Sequence, residues 1–246
     1  MKIQKSFERE EGAIYLVPTP IGNLEDITFR ALNILKTATV IAAEDTRNTK
    51  KLLNHFDIHT PLTSYHEHTK KEKIDHLVNQ AKEGAVIAVV SDAGMPGVSD
   101  PGVALVQVAL QENVKVIVLP GANAGLTALV GSGLPTDQFY FYGFLPRKKK
   151  EKQAVLEQLK KIPATLIFYE SPFRVKDTLQ DFRETLGNRE ITLARELTKR
   201  FEEYVRGTLD EVLVWIADEE LKGEFVLVVE GADEKETGET TEWWSD

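Results

Sequence analysis

The chain has 246 residues, 42% of them hydrophobic, enough to bury one large core or two modest ones, and its lack of cysteine excludes disulfides, thiolate metal sites and cysteine nucleophiles. No apolar stretch reaches the roughly 20 residues of a membrane helix, and residues 1–12 are charged where a signal peptide is apolar, so we expect a cytoplasmic globular protein. The net charge of −9 disfavours nucleic acid at first sight, because phosphates are bound mainly by lysine and arginine.

Short apolar runs alternate with amphipathic runs through the first half of the chain. The apolar runs predict five strands, at residues 13–17, 40–43, 62–65, 85–90 and 114–119. The amphipathic runs predict helices at residues 29–38, 46–56, 70–82 and 101–111. Ser99 or Asp100 is placed to cap the last helix, with Pro101 in its first turn. Because strands that alternate with helices usually pair in parallel, we expect a mostly parallel sheet.

A second set of strands follows a helix predicted at residues 124–133 and a break in the pattern at residues 134–137, where a boundary also fits. The strands are predicted at residues 139–144, 164–169, 191–196, 203–207 and 225–230, and the helices at residues 149–161, 173–186 and 209–217. The third and fourth of these strands are close enough to form a hairpin, so we expect a mixed sheet. The predicted organisation is an N-terminal extension (1–12), two α/β domains (13–123 and 124–231) and a disordered acidic tail (232–246).

Polar and glycine-rich segments follow the predicted strands, at the sheet edge where α/β proteins bind ligands. In the first half of the chain they are residues 18–23, 44–47, 66–68, 91–102 and 120–123, and in the second half residues 145–147, 170–174 and 195–199. The segment 91–102 has three glycines and two prolines, which let backbone amides approach a small molecule. Asp92 and Asp100 can accept hydrogen bonds from such a ligand. This segment is therefore the first candidate for a binding loop.

Several of these segments also have a purely structural interpretation. Glu44 and Asp45 can cap the following helix, and Arg47 can form a surface ion pair with them. The two histidines of segment 66–68 would need further ligands to hold a metal, so a solvent-facing pair is the simpler interpretation. The charged side chains of segment 195–199 fit either a structural ion network or the binding of a polar substrate. Spacing alone does not decide among these alternatives.

Signature motifs of several enzyme classes are absent from the sequence. The first predicted strand leads into P-T-P-I-G-N rather than G-x-G-x-x-G, and G-x-x-x-x-G-K-[ST] does not occur, which disfavours NAD and ATP sites. The absence of G-x-S-x-G removes the commonest serine hydrolase arrangement. The remaining polar segments have to be interpreted together.

Six segments together resemble a known enzyme family. They are V-P-T-P-I-G-N-L-E-D-I-T at residues 17–28, A-E-D-T-R at 43–47, S-Y-H-E-H at 64–68, the loop at 91–102, Y-E-S-P at 169–172 and R-E-L-T-K at 195–199. In this order they are similar to the bacterial 16S rRNA (cytidine-2'-O)-methyltransferases of the decoding site. These enzymes are class III S-adenosylmethionine-dependent methyltransferases of the tetrapyrrole methylase superfamily. The likeness covers about residues 12–231.

This resemblance implies a two-domain tetrapyrrole methylase-like fold, with S-adenosylmethionine in the interdomain cleft. It implies 2'-O-ribose methylation of a cytidine, of the type numbered cytidine 1402, in the decoding region of 16S ribosomal RNA. The ribose oxygen would attack the methyl carbon of the sulfonium in line, and no metal is required. The implied partners are 16S ribosomal RNA or the small ribosomal subunit and a second copy of the chain in a homodimer, without a membrane.

The resemblance also assigns residues to the cofactor and to the chemistry. We expect Asp45 or Glu196 to accept the ribose proton. We expect Arg47 and Lys199 to supply a cation that stabilises the developing oxyanion. Asp92 is placed to accept a hydrogen bond from the cofactor's amino group or a ribose hydroxyl. The full set of expected cofactor contacts is Pro20, Asp92, Ala93, Gly94, Met95, Gly121, Ala122, Asn123, Ala124, Tyr169, Glu170, Ala194, Arg195, Gly223 and Glu224.

The distribution of charge leaves room for RNA. Residues 230–246 hold seven acidic residues and one lysine, so the C-terminal segment carries most of the net negative charge. We expect the lysines of segment 148–152, together with Lys50 and Lys51, to line a path for RNA, and Tyr65 or His66 to stack on a base.

Three functions stay open at this point: an RNA ribose methyltransferase, a methylase of a tetrapyrrole or other small molecule, and a non-catalytic RNA or nucleotide-binding module. The first loop favours the RNA enzyme, since the superfamily usually has G-x-G-P-G there and this chain has P-T-P-I-G-N.

Overall fold

The computed structural model describes residues 3–6 and 12–233. The chain divides into two compact units, residues 1–123 and 124–246. Most of the predicted N-terminal extension, and the predicted acidic tail from residue 234 onwards, lie outside the described residues. No helix in the described ranges is both long and apolar enough to cross a membrane.

The first unit is built on a parallel five-stranded sheet with the strand order β3-β2-β4-β1-β5. Its strands are β1 (Ala13–Leu16), β2 (Val40–Ala43), β3 (Leu62–Ser64), β4 (Val86–Val90) and β5 (Lys115–Val118). Its helices are α1 (Phe29–Thr37), α2 (Thr46–His55), α3 (Lys71–Lys82) and α4 (Val103–Gln111), with a short 3₁₀ helix at Leu24–Asp26. All pairings between these strands are parallel, which confirms the predicted first sheet.

Both faces of this sheet are buried. Ala88 and Val90 of β4 belong to the same buried cluster as Leu35 of α1. Ile87 and Val89 belong to a second cluster that includes Leu105 of α4. Because successive side chains of a strand point to opposite faces, a strand covered on both sides has an unbroken apolar sequence. The covered faces leave the carboxyl ends of the strands as the place where polar loops gather.

The helix α4 begins two residues later than the sequence pattern predicts. Gly102, with φ +155°, is its N-cap, and no side chain caps the helix. The amide of Gly97 donates to the carbonyl of Pro101 at 3.1 Å, so the chain completes a turn before the helix starts. The prediction that Ser99 or Asp100 caps this helix, with Pro101 in its first turn, is therefore wrong.

The second unit holds a mixed sheet with the strand order β6-β7-β10-β8-β9. Its strands are β6 (Phe139–Phe144), β7 (Thr165–Glu170), β8 (Glu190–Arg195), β9 (Glu203–Thr208) and β10 (Phe225–Val229). Its helices are α5 (Ala124–Ser132), α6 (Lys149–Leu159), α7 (Val175–Leu186) and α8 (Leu209–Ala217). Only β6 and β7 pair in parallel, and β8 and β9 form the predicted hairpin, so the predicted mixed sheet is confirmed.

Packing between α6 and α7 removes one lysine from the predicted RNA path. Lys152 is buried on α6, where its ammonium pairs with the buried carboxylate of Asp181 on α7. A buried ion pair of this kind is retained because removing either partner leaves an uncompensated charge. The prediction that Lys152 contacts RNA is wrong.

Candidate active site

In the first unit, the loops after β1 and β4 are joined by backbone hydrogen bonds. Thr19 and Gly94 form an isolated antiparallel bridge in which each amide donates to the other's carbonyl at 2.9 Å. The hydroxyl of Thr19 also donates to the carbonyl of Ser91 at 3.3 Å. Pro20, the residue after Thr19, therefore lies close to the turn that contains Gly94 and Met95. Two of the segments predicted to bind the cofactor meet here.

Two glycines bring the loop after β5 to the same place. Gly94 has φ +75°, and a Cβ there would lie 3.3 Å from Ile21 Cγ2 and 3.6 Å from the carbonyl oxygen of Ala122. A Cβ on Gly121 would lie 2.5 Å from Pro18 Cβ, closer than side-chain atoms tolerate. Both positions require glycine so that the three loops can pack together. The predicted residues Gly121, Ala122 and Asn123 therefore adjoin the loop at 92–95, in which Ala93 is exposed.

Carboxylates from the loops after β2 and β4 gather beside this loop. The carboxylate of Asp92 accepts from the amide of Asp45 at 3.2 Å and from the side-chain amide of Asn48 at 3.4 Å. The amide of Asp92 donates to the carboxylate of Glu44 at 3.4 Å. Asp92 thus ties the end of β4 to the start of α2. We call Glu44, Asp92 and Asp100 the acidic surface.

The acidic surface carries carboxyl groups that hold their protons more tightly than usual. Burial raises the pKa of Asp100 to about 7, and the negative charges of Glu44 and Asp92 add to this effect. Burial also raises the pKa of Glu44, against a lowering contribution from its hydrogen bond with the Asp92 amide. A cation placed beside these groups would stabilise their charged forms. The sequence marks Asp100 as a possible ligand contact or helix cap and Glu44 as a possible helix cap, whereas their electrostatic coupling follows from the fold.

Asp45 and Arg47 form the helix cap and surface ion pair that the sequence offered as a structural interpretation of these residues. Asp45 is the N-cap of α2, and its carboxylate accepts from the Arg47 amide at 2.8 Å. The guanidinium of Arg47 donates to the two carboxylate oxygens at 3.1 and 2.7 Å. The hydrogen bond from the Arg47 side chain, followed by that from its amide, lowers the pKa of Asp45 to about 2. Asp45 is consequently a weak base that fixes the orientation of Arg47.

In the second unit, the loop after β8 is organised around one lysine. The ammonium of Lys199 donates to Glu196 Oε1 and to Glu224 Oε2, both at 2.8 Å. The amide of Glu196 donates to the carbonyl of Glu224 at 3.0 Å, and the amide of Glu224 donates back to Glu196 Oε1 at 3.0 Å. We call Glu196, Lys199 and Glu224 the lysine cluster. It brings together two predicted catalytic residues and one predicted cofactor contact.

The charges of the lysine cluster stabilise one another. Burial lowers the pKa of Lys199, but hydrogen bonds to Glu196 and Glu224 outweigh it, and the net shift is upward. Burial raises the pKa of Glu196, but hydrogen bonds from the Lys199 side chain and the Glu224 amide outweigh it, and the net shift is downward. At neutral pH the lysine is therefore a fixed cation, and Glu196 is a weak base.

The backbone of the lysine cluster is strained. Glu196 and Thr198 have φ values of +50° and +66°, which are uncommon for residues other than glycine. Gly223 has φ +88°, and a Cβ there would lie 2.5 Å from the Glu196 Cδ. The predicted residue Gly223 is needed for the close approach of the Glu196 side chain. The positive φ values of Glu196 and Thr198 leave no signal in the sequence.

Glu170 lies at the end of β7 with its side chain turned inward. One carboxylate oxygen accepts from the Ser171 amide at 2.8 Å, and the other accepts from the Thr178 hydroxyl at 2.8 Å. Arg174 lies 3.5 Å from the same carboxylate. The carboxylate is therefore fully used within the unit, and contact between Glu170 and a ligand would have to involve its backbone.

The remaining predicted residues of the second unit lie at strand ends. The hydroxyl of Tyr169 accepts from the amide of Gly125 at 3.1 Å, close to Ala124 at the start of α5. Ala194 is buried within β8. Arg195 donates to the carbonyl of Lys222 at 2.8 Å, so its side chain is held against the segment before β10.

The residues predicted to meet RNA differ in exposure. Tyr65 is only 2% exposed and lies in the core of the first unit, so the prediction that it stacks on a base is wrong, whereas His66 is exposed. Arg147, Lys148 and the two lysines that follow are exposed, and Lys148 pairs with Glu151 at 3.0 Å. Within residues 3–6 and 12–233, no three histidine or acidic side chains are grouped as a metal site.

Comparison with known proteins identifies the family. The profile of the tetrapyrrole (corrin/porphyrin) methylases matches residues 13–213. The chain belongs to this family. Its members are methyltransferases that use S-adenosylmethionine, so the predicted enzyme class and cofactor are confirmed. The position of the cofactor and its individual contacts stay predictions.

The chain is also similar to named proteins over most of its length. The ribosomal RNA small subunit methyltransferase I of Halalkalibacterium halodurans is 57% identical, covering 99% of this chain and 85% of that protein. The protein of the same name from Bacillus subtilis is 52% identical, covering 99% and 84%. The resemblance predicted from the sequence is therefore confirmed.

Solved structures share the fold. Diphthine synthase superposes with a TM-score of 0.69 at 16% identity, covering 89% of this chain and 90% of that one. Uroporphyrin-III C-methyltransferase from Thermus thermophilus, complexed with S-adenosylhomocysteine, superposes with a TM-score of 0.61 at 21% identity, covering 88% and 97%. At such identities the likeness concerns the fold alone.

Proposed function

We propose that the enzyme methylates ribosomal RNA of the small subunit, and that the accepting atom is the 2'-oxygen of a decoding-site cytidine of the type numbered 1402. The observation that carries this proposal is the 57% identity, over almost the whole chain, to a ribosomal RNA small subunit methyltransferase I. The sequence P-T-P-I-G-N in the first loop also favours RNA over a porphyrin. S-adenosylmethionine supplies the electrophilic methyl group when it is bound.

The acidic surface fits a cationic cofactor. Burial raises the pKa of Asp100 to about 7, and the negative charges of Glu44 and Asp92 add to this effect. A sulfonium or ammonium group beside these carboxylates would relieve the repulsion among them. The adjacent loops include the exposed residues Ala93 and Gly121, whose backbone groups can form hydrogen bonds with a ligand. We assign cofactor contacts in the first unit to Pro20, Asp92, Ala93, Gly94, Met95, Gly121, Ala122 and Asn123.

The second unit contributes contacts of a different kind. Glu170 and Ala194 have buried side chains, so they would serve through their backbones. Gly223 and Glu224 form the rim of the lysine cluster, where Glu224 is exposed. The remaining assignments in this unit are Ala124, Tyr169 and Arg195.

Lys199 and Arg47 are the cations that we assign to the reacting oxygen. A ribose hydroxyl becomes negative as it loses its proton, and a fixed ammonium or guanidinium stabilises that charge without reorganisation. Each cation is held by a carboxylate whose pKa is lowered: Glu196 for Lys199, and Asp45 for Arg47. Asp45 and Glu196 position these two cations. They are also the carboxylates that we assign to accept the ribose proton, and their lowered pKa values make them weak bases in that role.

The exposed cluster at residues 147–150 is the surface that we assign to RNA phosphates. Replacing Lys148, Lys149 and Lys150 together by glutamate should weaken binding to the small subunit by about 10²-fold or more, because each phosphate contact releases counterions. Binding of S-adenosylmethionine should be unchanged. Unchanged affinity for the small subunit in this variant would remove the assignment.

The decisive experiment maps 2'-O-methylation along the small-subunit RNA of cells that have or lack this protein. The proposal requires that one decoding-site cytidine loses its mark in the deletion strain and regains it when the gene is restored. An unchanged methylation map contradicts the proposal that this cytidine is the substrate. A homodimer and a cytoplasmic location are further proposals that rest on the family resemblance, and sedimentation of the purified chain tests the dimer.

A further inference from the structure

A groove of about 500 Å³ lies on the first unit beside α2. One wall is α2 itself, through Arg47, Lys50 and Asn54, and the other is the segment between α2 and β3, through His59 and Thr60. Its volume falls in the range of pockets that bind small molecules, roughly 300–1,000 Å³. The groove is outside the acidic surface, and no residue of the predicted cofactor set lines it.

The charged side chains that line the groove are cations. Arg47 is 87% exposed, and its guanidinium is anchored by Asp45, as described above. Lys50 forms no ion pair with any residue in the part of the chain that the structure describes. His59 lies 3.0 Å from Asp57 and adds a positive charge when protonated. No carboxylate is among the lining residues, so the groove is suited to an anion.

The floor of the groove is apolar. Leu53 and Ile58 lie in it with exposed fractions of 2% and 4%, and Leu62 is partly buried beside them. An apolar floor between cationic walls suits a ligand with a flat, weakly polar ring and a negatively charged group at its edge. A nucleotide has this chemistry. S-adenosylmethionine also has a flat ring and a carboxylate, but it has no phosphate, and its sulfonium would add a positive charge beside Arg47 and Lys50.

We propose that this groove binds a nucleotide of ribosomal RNA that flanks the methylated one, with its phosphate against Lys50 and Arg47 and its base over Leu53 and Ile58. The inference rests on the proposed function, since it assigns a second position on the same RNA. Arg47 connects the groove to the predicted catalytic residues. It lines the groove, and it also pairs with Asp45 of the predicted catalytic set.

Two neighbouring lysines of α2 give a matched pair of variants. Lys50 lines the groove, whereas Lys51 does not; both are exposed, and the Lys51 ammonium donates to Asn48 at 3.5 Å. We expect Lys50→Glu to weaken binding to the small subunit by about 10-fold and to reduce the salt dependence by about one phosphate contact. Our proposal narrows the expected RNA path on α2 to Lys50, because Lys51 does not line the groove. Lys51→Glu should therefore change the affinity by less than about 3-fold, since exposed charges away from the RNA are screened.

The measurement is binding of purified small subunits to each variant over a range of salt concentrations, with thermal unfolding and S-adenosylmethionine affinity as controls for folding. Equal effects of Lys50→Glu and Lys51→Glu, or no effect of either, overturn the groove as an RNA site. If the wild-type enzyme neither binds nor methylates the small subunit, the proposed function fails. If it does both and the two variants behave alike, only the groove assignment fails.

A second variant identifies the class of molecule in the groove. Asn54, on the wall formed by α2, can be replaced by the photoreactive residue p-benzoylphenylalanine, and the product can be irradiated with small subunits. A cross-link to ribosomal RNA near the methylated cytidine is the expected result. A cross-link confined to a ribosomal protein, or none in a variant that still methylates, overturns the proposal.

Discussion

The acidic surface of the first unit and the lysine cluster of the second contain similar groups in opposite electrostatic states. In the acidic surface, burial and neighbouring carboxylates raise the pKa of Asp100 to about 7 and also raise that of Glu44. In the lysine cluster, hydrogen bonds with Lys199 outweigh burial and lower the pKa of Glu196. The difference lies in where the compensating cation comes from.

This comparison separates two tasks. The lysine cluster already contains its cation, so its geometry is fixed before any ligand arrives. The acidic surface has an excess of negative charge that a positively charged ligand would compensate. The acidic surface suits a cofactor that carries a sulfonium, and the lysine cluster suits an oxygen that becomes negative during the reaction. Three substitutions test this division.

Removing the cation of the lysine cluster should have the largest effect. We expect Lys199→Ala to lower kcat by about 10²–10³-fold, the usual cost of losing one group that stabilises an oxyanion. Lys199→Arg should recover part of the activity. The control is Lys222→Ala, since that ammonium pairs with the exposed Glu220. Methylation rates at saturating RNA and cofactor measure the effect, and a kcat near that of the wild type in Lys199→Ala contradicts the assigned role.

Removing one charge from the acidic surface should act on binding. Asp92→Asn keeps the shape of the side chain but removes a negative charge, so we expect S-adenosylmethionine to bind about 10-fold more weakly while kcat changes little. Isothermal titration calorimetry measures this change, with Asp137→Asn, an exposed position of the second unit, as the control. If both variants bind the cofactor like the wild type, Asp92 is not a contact.

The smallest expected effect is a pH dependence of stability. The pKa of Asp100 is raised from 3.8 to about 7 in the folded state, so the unfolded chain loses this proton at lower pH than the folded chain does. The contribution of Asp100 to stability therefore falls as the pH rises from about 4 to about 7. Because the carboxyl group is partly solvated, we expect the loss to be about 1–2 kcal/mol.

The variant Asp100→Asn carries no titrating group and should lack this loss. Urea unfolding at pH 5 and pH 8 should give a smaller difference between the two pH values for the variant than for the wild type. The same pH dependence in both proteins would show that the carboxyl of Asp100 has an ordinary pKa.

Much of the fold is predictable because strand and helix periodicities are strong in this sequence. The bounds predicted for β2, β6 and α8 coincide with those observed, and the two sheets have the expected parallel and mixed pairings. The glycine loops after β1, β4 and β5 are also predictable, since strand ends in α/β folds bind ligands. These features depend on residues that are close together in the sequence.

The features that the sequence conceals depend on residues that are far apart. Lys152 belongs to a run of lysines that looks exposed, and only the packing of α6 on α7 brings it to Asp181. Tyr65 directly follows the edge strand β3 yet is buried in a cluster that includes residues of α3 and α4. The pKa of Asp100 is raised by its burial and by the charge of Glu44, which is distant in sequence. Partners of this kind follow from the tertiary structure rather than from spacing.

The bridge between Thr19 and Gly94 has a consequence for motion. Two hydrogen bonds of 2.9 Å make the loops after β1 and β4 open together, since one loop cannot leave without breaking both bonds. Amide hydrogens at these two positions should exchange with solvent at a common rate, and a ligand that contacts either loop should slow both. A ligand bound near residue 94 would thereby also reduce the motion of Pro20 and Ile21, whether or not it contacts them.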